Sequence, residues 1–248
     1  AYAMLRSLVG SEMCIRDSNE DVYGNNLITV SADELLDCGA ILPPTVNVHT
    51  VDTVRTREEV ADIDAETVLR VIQADDAERV LVSAPSARII NAMMAFTDLF
   101  RDLRQADYNV MTITSKHGAI INGKKTTRTK FFETLDNFSA TGQKFVLFHY
   151  SILSEGINVS GLTNVVLLRN LSTVEMAQTI GRVIRLDTQD RNNISNGTLR
   201  PRAYHNYNKP TGFISIPVYN NYGKATAKRV QRTVDTIFKH GKPATAWI

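Results

Sequence analysis

Apolar residues recur along this chain in two alternating rhythms. Short runs rich in β-branched and aromatic residues, at 79–84, 108–114, 145–148, 165–168 and 212–219, are bounded by turn-forming residues and predict strands. Between them, apolar positions return every three or four residues and predict helices. Ile89, Met93, Phe96, Phe100 and Leu103 form one such stripe after a helix start at Pro85 and Ser86, and Phe131, Leu135 and Phe138 mark the buried side of the next. Val60, Ile63, Val68, Leu69 and Ile72 follow a capping box at Thr56 and Glu59, and suit one helix or two broken near Asp64. Upstream, Ser31 opens a short helix ended by Gly39, and Pro43 and Pro44 then break into an extended stretch. Ala227, Val230, Val234, Ile237 and Phe238 predict a closing helix that ends at Gly241.

Strand and helix alternate from Arg79 to Arg185. That order argues an α/β fold with a mainly parallel sheet, right-handed crossovers and helices on both faces. The apolar runs 145–148 and 165–168 read as neighbouring core strands. From Leu186 to Thr211 the chain is polar and Asn-rich, a gap too long for a routine loop, and it reads as disordered or functional.

Composition narrows the picture modestly. A chain of 248 residues, 43% hydrophobic, can bury a full α/β core. A formal charge of +2 is too small to announce a nucleic-acid partner through bulk electrostatics, so such a partner must be met by local patches. Cys14 and Cys38 are too few for a disulfide framework or a cysteine zinc site, which fits a reducing, cytoplasmic setting. No run approaches the roughly 18 apolar residues of a membrane span. Residues 1–18, including Leu8-Val9-Gly10-Ser11-Glu12-Met13-Cys14-Ile15-Arg16-Asp17, look like translated adaptor sequence and are set aside from fold reasoning.

The densest chemistry lies between Lys144 and Leu186. Ser172 and Glu175 form a capping box, so a helix is expected from there through Ile184. At 3.6 residues per turn, Gln178, Arg182 and Arg185 share one face and Ala177, Ile180 and Ile184 another. Gly181 sits between them, where glycine costs about 1 kcal/mol relative to alanine, so a close approach is expected at its backbone. Taken alone, this is an amphipathic helix with a solvated basic edge.

Order changes that reading. Gln178-x-x-Gly181-Arg182-x-x-Arg185 resembles the last signature motif of superfamily-2 helicases, and Leu153-x-Glu155-Gly156-Ile157-Asn158-Val159 resembles the motif before it. Asn158 stands where most members have Asp. The resemblance covers about Ala32 to Tyr219 and implies a RecA-like three-layer α/β/α domain. It implies that residues 19–55 are the connection from a missing first motor domain, and that 56–248 are the second motor domain with a C-terminal strand and helix. In that family ATP and Mg2+ are held mainly by the first domain, and no phosphate loop or Asp-Glu motif of that domain is recognised here. By resemblance Arg185 is an arginine finger, Arg182 a second phosphate contact and Gln178 an orienting residue; Glu155, Gly156, Asn158 and Gly181 approach the nucleotide. The function implied is that of the C-terminal motor domain of an ATP-dependent helicase or translocase, inactive as a fragment. The form of the Glu155-Gly156 motif favours excision-repair and restriction types, hence DNA over RNA, with no membrane partner.

Lys116, Lys124, Lys125 and Arg128 form a basic cluster with His117 and Lys130. In the resembled family this edge touches the nucleic-acid backbone, and Ser83, Ser115 and Ser151 lie at strand ends where hydroxyls reach phosphate oxygens. Gly118-Ala119-Ile120-Ile121-Asn122-Gly123-Lys124-Lys125 nearly fits a phosphate-binding loop, but Lys125 occupies the place of the magnesium-binding hydroxyl, and the segment is expected as a solvated loop. Arg200, Arg202, Tyr204, His205 and Tyr207 interleave charge and aromatic rings in the long polar stretch. The competing function is a non-catalytic nucleic-acid-binding module that kept the fold and lost the motor; a small-molecule kinase using residues 118–126 is a third.

Overall fold

A computed structural model describes residues 30–51, 59–150, 159, 161–219 and 224–235. The expectations placed on residues 1–18, Thr56, Ser151, Glu155, Gly156, Asn158, Ile237, Phe238 and Gly241 lie outside the described residues.

A sheet of eight strands organises the domain: β1 Pro44–Val51, β2 Arg79–Ser83, β3 Asn109–Thr114, β4 Gly118–Ile121, β5 Lys124–Thr126, β6 Phe145–His149, β7 Asn164–Leu167 and β8 Gly212–Tyr219. Their spatial order is β1-β8-β7-β2-β6-β3-β4-β5. All pairs are parallel except β3 with β4 and β4 with β5. Every residue of β2, β6 and β7 is buried, as expected for parallel strands covered on both faces. Alternation along each strand divides the core into two layers. Leu81, Met111, Leu147, Val165 and Ile214 meet residues of α5 Arg128–Ala140, α6 Thr173–Val183 and α8 Lys224–Val234. Val80, Val82, Val110, Val146 and Val166 meet residues of α2 Val60–Ala74, α3 Ala87–Phe96 and α4 Leu99–Gln105. This is the three-layer α/β/α arrangement. None of the described helices is long and apolar enough to cross a membrane.

Several expectations need correcting. The runs at 145–148 and 165–168 are both core strands but not neighbours, because β2 lies between them. The stripe after Ser86 is two helices rather than one: the Thr97 hydroxyl donates to the Met93 carbonyl at 2.6 Å and accepts from the Leu99 amide at 3.3 Å, interrupting the helical ladder. Phe96 consequently lies 83% exposed instead of in the core. Of the two readings left open near Asp64, the structure has the single continuous helix, and buried Asp64 accepts from the Tyr219 hydroxyl at 3.3 Å. Residues 118–126 are a β-hairpin, not a solvated loop. Its turn, Asn122-Gly123, has positive φ at both residues, the conformation that a two-residue hairpin turn demands.

The long polar stretch is ordered, not disordered. It contains α7 Thr188–Ser195 and a 3-10 turn, Tyr204–Asn206, and Tyr207 and Leu186 join Leu42 in a small apolar cluster. The upstream helix α1 Ala32–Asp37 carries the capping box expected at Ser31, with Glu34 as its partner. On the opposite side, Asp75 ties three elements together: its carboxylate bonds the Asn47 amide at 3.1 Å, the His49 imidazole at 3.2 Å and the Ser215 hydroxyl at 2.5 Å.

Candidate functional site

Parallel strands bring their carboxyl ends to one edge, where ligands of open α/β sheets gather. Ser83 stands opposite both His149 and Leu167 in register, and His149 stands opposite Ile113. Thr114, Ser115, Ser83, His149 and Arg169 are thereby placed along the same edge.

Helix α6 starts beside this edge. Ser172 and Glu175 close the expected capping box. Glu175 also accepts from Arg169 Nη2 at 2.9 Å, and the Arg169 guanidinium lies over the Tyr150 ring at 5.3 Å. Burial alone would raise the Glu175 carboxyl, but hydrogen bonds from Ser172 and Arg169 outweigh it and hold the group below its usual range. The buried face of α6 is formed by Met176, Ile180 and Val183; Ala177, expected there, is half-buried.

Positive charge is concentrated here. Arg182 is 6% exposed, and its Nη1 approaches the Gln178 carbonyl at 3.5 Å. Burial and the neighbouring Arg185 push it down to about 10, leaving it cationic at neutral pH. Arg185 does not share the helix with Gln178 and Arg182, as periodicity predicted. The helix ends at Val183, Ile184 caps it, and Arg185 sits one residue beyond in an antiparallel bridge with Ile41. Gly181 is buried in the last turn.

Neither His149 nor Arg169 stands out in the sequence pattern. The imidazole is 5% exposed; burial first, and then the guanidiniums of Arg169 and Arg182, lower it to about 3 against the opposing pull of Glu175. It is therefore neutral. Ser83 Oγ, both His149 nitrogens, Arg169 Nε and Gln178 Oε1 are buried with no hydrogen-bond partner. Arg79 Nε and Asn164 Nδ2, at the opposite ends of their strands, are in the same state, so the orphaned groups are not confined to this edge, but most of them are here.

The predicted nucleic-acid residues divide. Ser115, Lys116, Lys124, Lys125 and Arg128 are exposed, whereas Ser83 is wholly buried. Strand β4 runs back down the sheet, so Lys124 pairs with Ile121 opposite Met111, three residues and about 10 Å from the edge at Thr114. Lys116 and Arg128 stay near that edge; Lys124 does not. The hairpin also removes the phosphate-loop reading, since no helix begins at Lys124 and α5 starts only after its Thr127 cap. A cavity of about 220 Å³ between α3, α4 and the β3–β4 pair is lined by Ile90, Met94, Phe100, Val110 and Ile120, and holds none of the arginines.

A model of the helicase conserved C-terminal domain matches residues 64–187, half of the chain. Among solved structures, a fragment assigned as the HsdR subunit of a type I restriction enzyme from Vibrio vulnificus is 21% identical, with a TM-score of 0.56 over 86% of this chain and 38% of that one. The type ISP restriction-modification enzyme LlaBIII, solved bound to DNA, is 13% identical, with a TM-score of 0.54 over 90% of this chain and 16% of that one. Both are likenesses of fold, and the chain spans well under half the length of either protein. No curated protein matches it.

Proposed function

Because this chain belongs to the helicase conserved C-terminal domain family, a family of ATP-dependent helicases, we propose that it serves as the second motor unit of a DNA helicase or translocase, lending Arg182 and Arg185 to ATP held against a companion domain. The observation that carries this reading is the arginine pair. One guanidinium is 6% exposed and close enough to its neighbour to be lowered by it. Two guanidiniums held this close beside the carboxyl edge of the sheet offer paired, planar, charged donors to an anion with several oxygens. A polyphosphate is an anion of that kind.

In phosphoryl transfer, charge spreads over the equatorial oxygens of the transferring group, and fixed donors stabilise it without reorganisation. The planar fork of arginine can hold two of those oxygens. In this reading Gln178, one turn before Arg182, orients the reacting groups, and magnesium is held by the companion domain. Ser115, Lys116 and Arg128, exposed near the same edge, meet the nucleic-acid backbone. DNA is the substrate assigned, in keeping with the DNA bound by LlaBIII. A binding module without a motor would be served by exposed cations alone, so the buried arginine favours the motor.

The test restores a functional companion domain upstream and measures ATP hydrolysis with DNA and RNA oligonucleotides. Arg185→Ala should lower kcat by roughly 10³ to 10⁵ while nucleotide-free DNA affinity stays nearly intact. Wild-type turnover in a folded Arg185→Ala protein would overturn the assignment of this arginine to phosphate.

A further inference from the structure

The last turn of α6 is held by a residue that the helicase family model does not reach. Lys209, 2% exposed, donates from Nζ to the carbonyls of Val183 at 2.5 Å and Arg185 at 2.6 Å. The carbonyl between them, of Ile184, accepts from the Leu42 amide at 2.8 Å. Three successive carbonyls at a helix end, which have no partner within the helix, are all taken by groups from elsewhere in the chain.

Lys209 is itself anchored. Asp190, 1% exposed, accepts from the Asn208 amide through Oδ1 and from the Lys209 amide through Oδ2, each at 3.0 Å. Gly212 completes the clamp: a Cβ there would lie 2.4 Å from the Val183 oxygen, so only glycine lets β8 come this close.

A lysine is almost never fully buried without a partner, and methionine would fill similar space at no electrostatic cost. Here the ammonium meets the negative end of a helix. Those carbonyls belong to the segment that joins Arg182 to Arg185, and a bond to them fixes where both guanidiniums point.

We infer that Lys209 is a positioning residue, setting the spacing and direction of Arg182 and Arg185 through the main chain between them. The inference rests on the reading of those arginines as phosphate ligands. Burial, Arg79 and Arg185 lower the Lys209 ammonium to about 7, against Asp187 and Asp190, which raise it. A neutral amine keeps two N–H donors but loses the charge that strengthens them.

The experiment uses this chain joined to its companion motor domain and measures steady-state ATP hydrolysis with DNA present. Lys209→Met should lower kcat about tenfold to a hundredfold, the loss expected for catalytic groups misplaced by about 1 Å, with KM for ATP nearly unchanged. The triple variant Lys209→Met, Arg182→Ala, Arg185→Ala should be no slower than Arg182→Ala, Arg185→Ala alone, because a residue acting through those two arginines has nothing left to position. Should Lys209→Met fail to fold, Asp190→Asn, which loosens the anchor and leaves the Nζ donors in place, should show a smaller loss that the Arg182→Ala, Arg185→Ala pair again absorbs. Wild-type turnover in a folded Lys209 variant, or a loss that multiplies with that of the Arg182→Ala, Arg185→Ala pair, would overturn the positioning role. A silent Arg182→Ala, Arg185→Ala pair would instead overturn the arginine reading and, with it, this inference.

Discussion

Arg169 and Glu175 are joined at 2.9 Å, and the other oxygen of the same carboxylate accepts from the Ser172 amide at 3.0 Å. One side chain thus fixes both the guanidinium at the end of β7 and the first turn of the helix that bears Arg182. Glu175→Ala should cost about 1–2 kcal/mol, the sum of a lost cap and a partly exposed ion pair. Glu175→Gln retains an acceptor for the cap and should cost about half as much. Urea denaturation measures both, and an alanine variant as stable as wild type would show that the pair holds nothing.

His149 predicts an acid limb in stability. Its folded value of about 3 lies below the ordinary 6.5, so the unfolded chain binds a proton first as pH falls. The contribution is fully present above about pH 6.5 and is lost progressively toward pH 3, at up to about 1.4 kcal/mol per unit. Carboxylates titrate in the same window, so the measurement is the difference between wild type and His149→Phe. Equal slopes in the two proteins would mean that the imidazole takes up its proton as readily in the fold as in the unfolded chain.

The hairpin register separates two lysines that the sequence groups together. Lys116→Ala combined with Arg128→Ala should weaken single-strand binding and reduce the slope of log K against log salt by about 0.7 for each lost contact. Lys124→Ala, about 10 Å down the sheet, should leave the slope unchanged. Exposed lysines on an edge strand have a structural use of their own, in discouraging pairing with another chain. If Lys124→Ala shifts the slope as strongly as the other two together, the nucleic acid crosses the hairpin instead.

Asp75 should be the costliest polar deletion outside the site. Its carboxylate, 6% exposed, serves groups on β1 and β8 from the end of α2. Asp75→Ala leaves three partners without their acceptor and should destabilise by about 3 kcal/mol, with Asp75→Asn intermediate. A change in urea midpoint within error would show that water replaces the carboxylate freely.

Much of the layer structure was legible because buried parallel strands read as continuous apolar runs and Ser172 announces its helix through Glu175. What periodicity does not encode is which strands adjoin, so the placing of β2 between β6 and β7 was invisible. Thr97 fits a helical pattern by spacing, and only its hydroxyl's bond to Met93 reveals the break. Asn122-Gly123 was a turn signal in plain view, obscured by the nearly matching phosphate-loop pattern around it. The polar stretch after Leu186 looked disordered because its order depends on tertiary partners: Asp190 meets Lys209, and Tyr207 meets Leu42. Of the candidate site, Arg182 and Gln178 were singled out by their motif. His149 and Arg169 were not, since a single residue at a strand end gains meaning only when the sheet sets it beside the others.

The pairing of β1 with β8 bears on how this domain would carry mechanical load. The two strands run parallel through eight successive partners, from Pro44 with Gly212 to Val51 with Tyr219. Tension drawing β1 backward along its own axis would load that ladder in shear, so its hydrogen bonds would resist together rather than break singly, as they do when a hairpin is unzipped. An attachment of this kind suits a segment that must transmit a pull without peeling from its sheet.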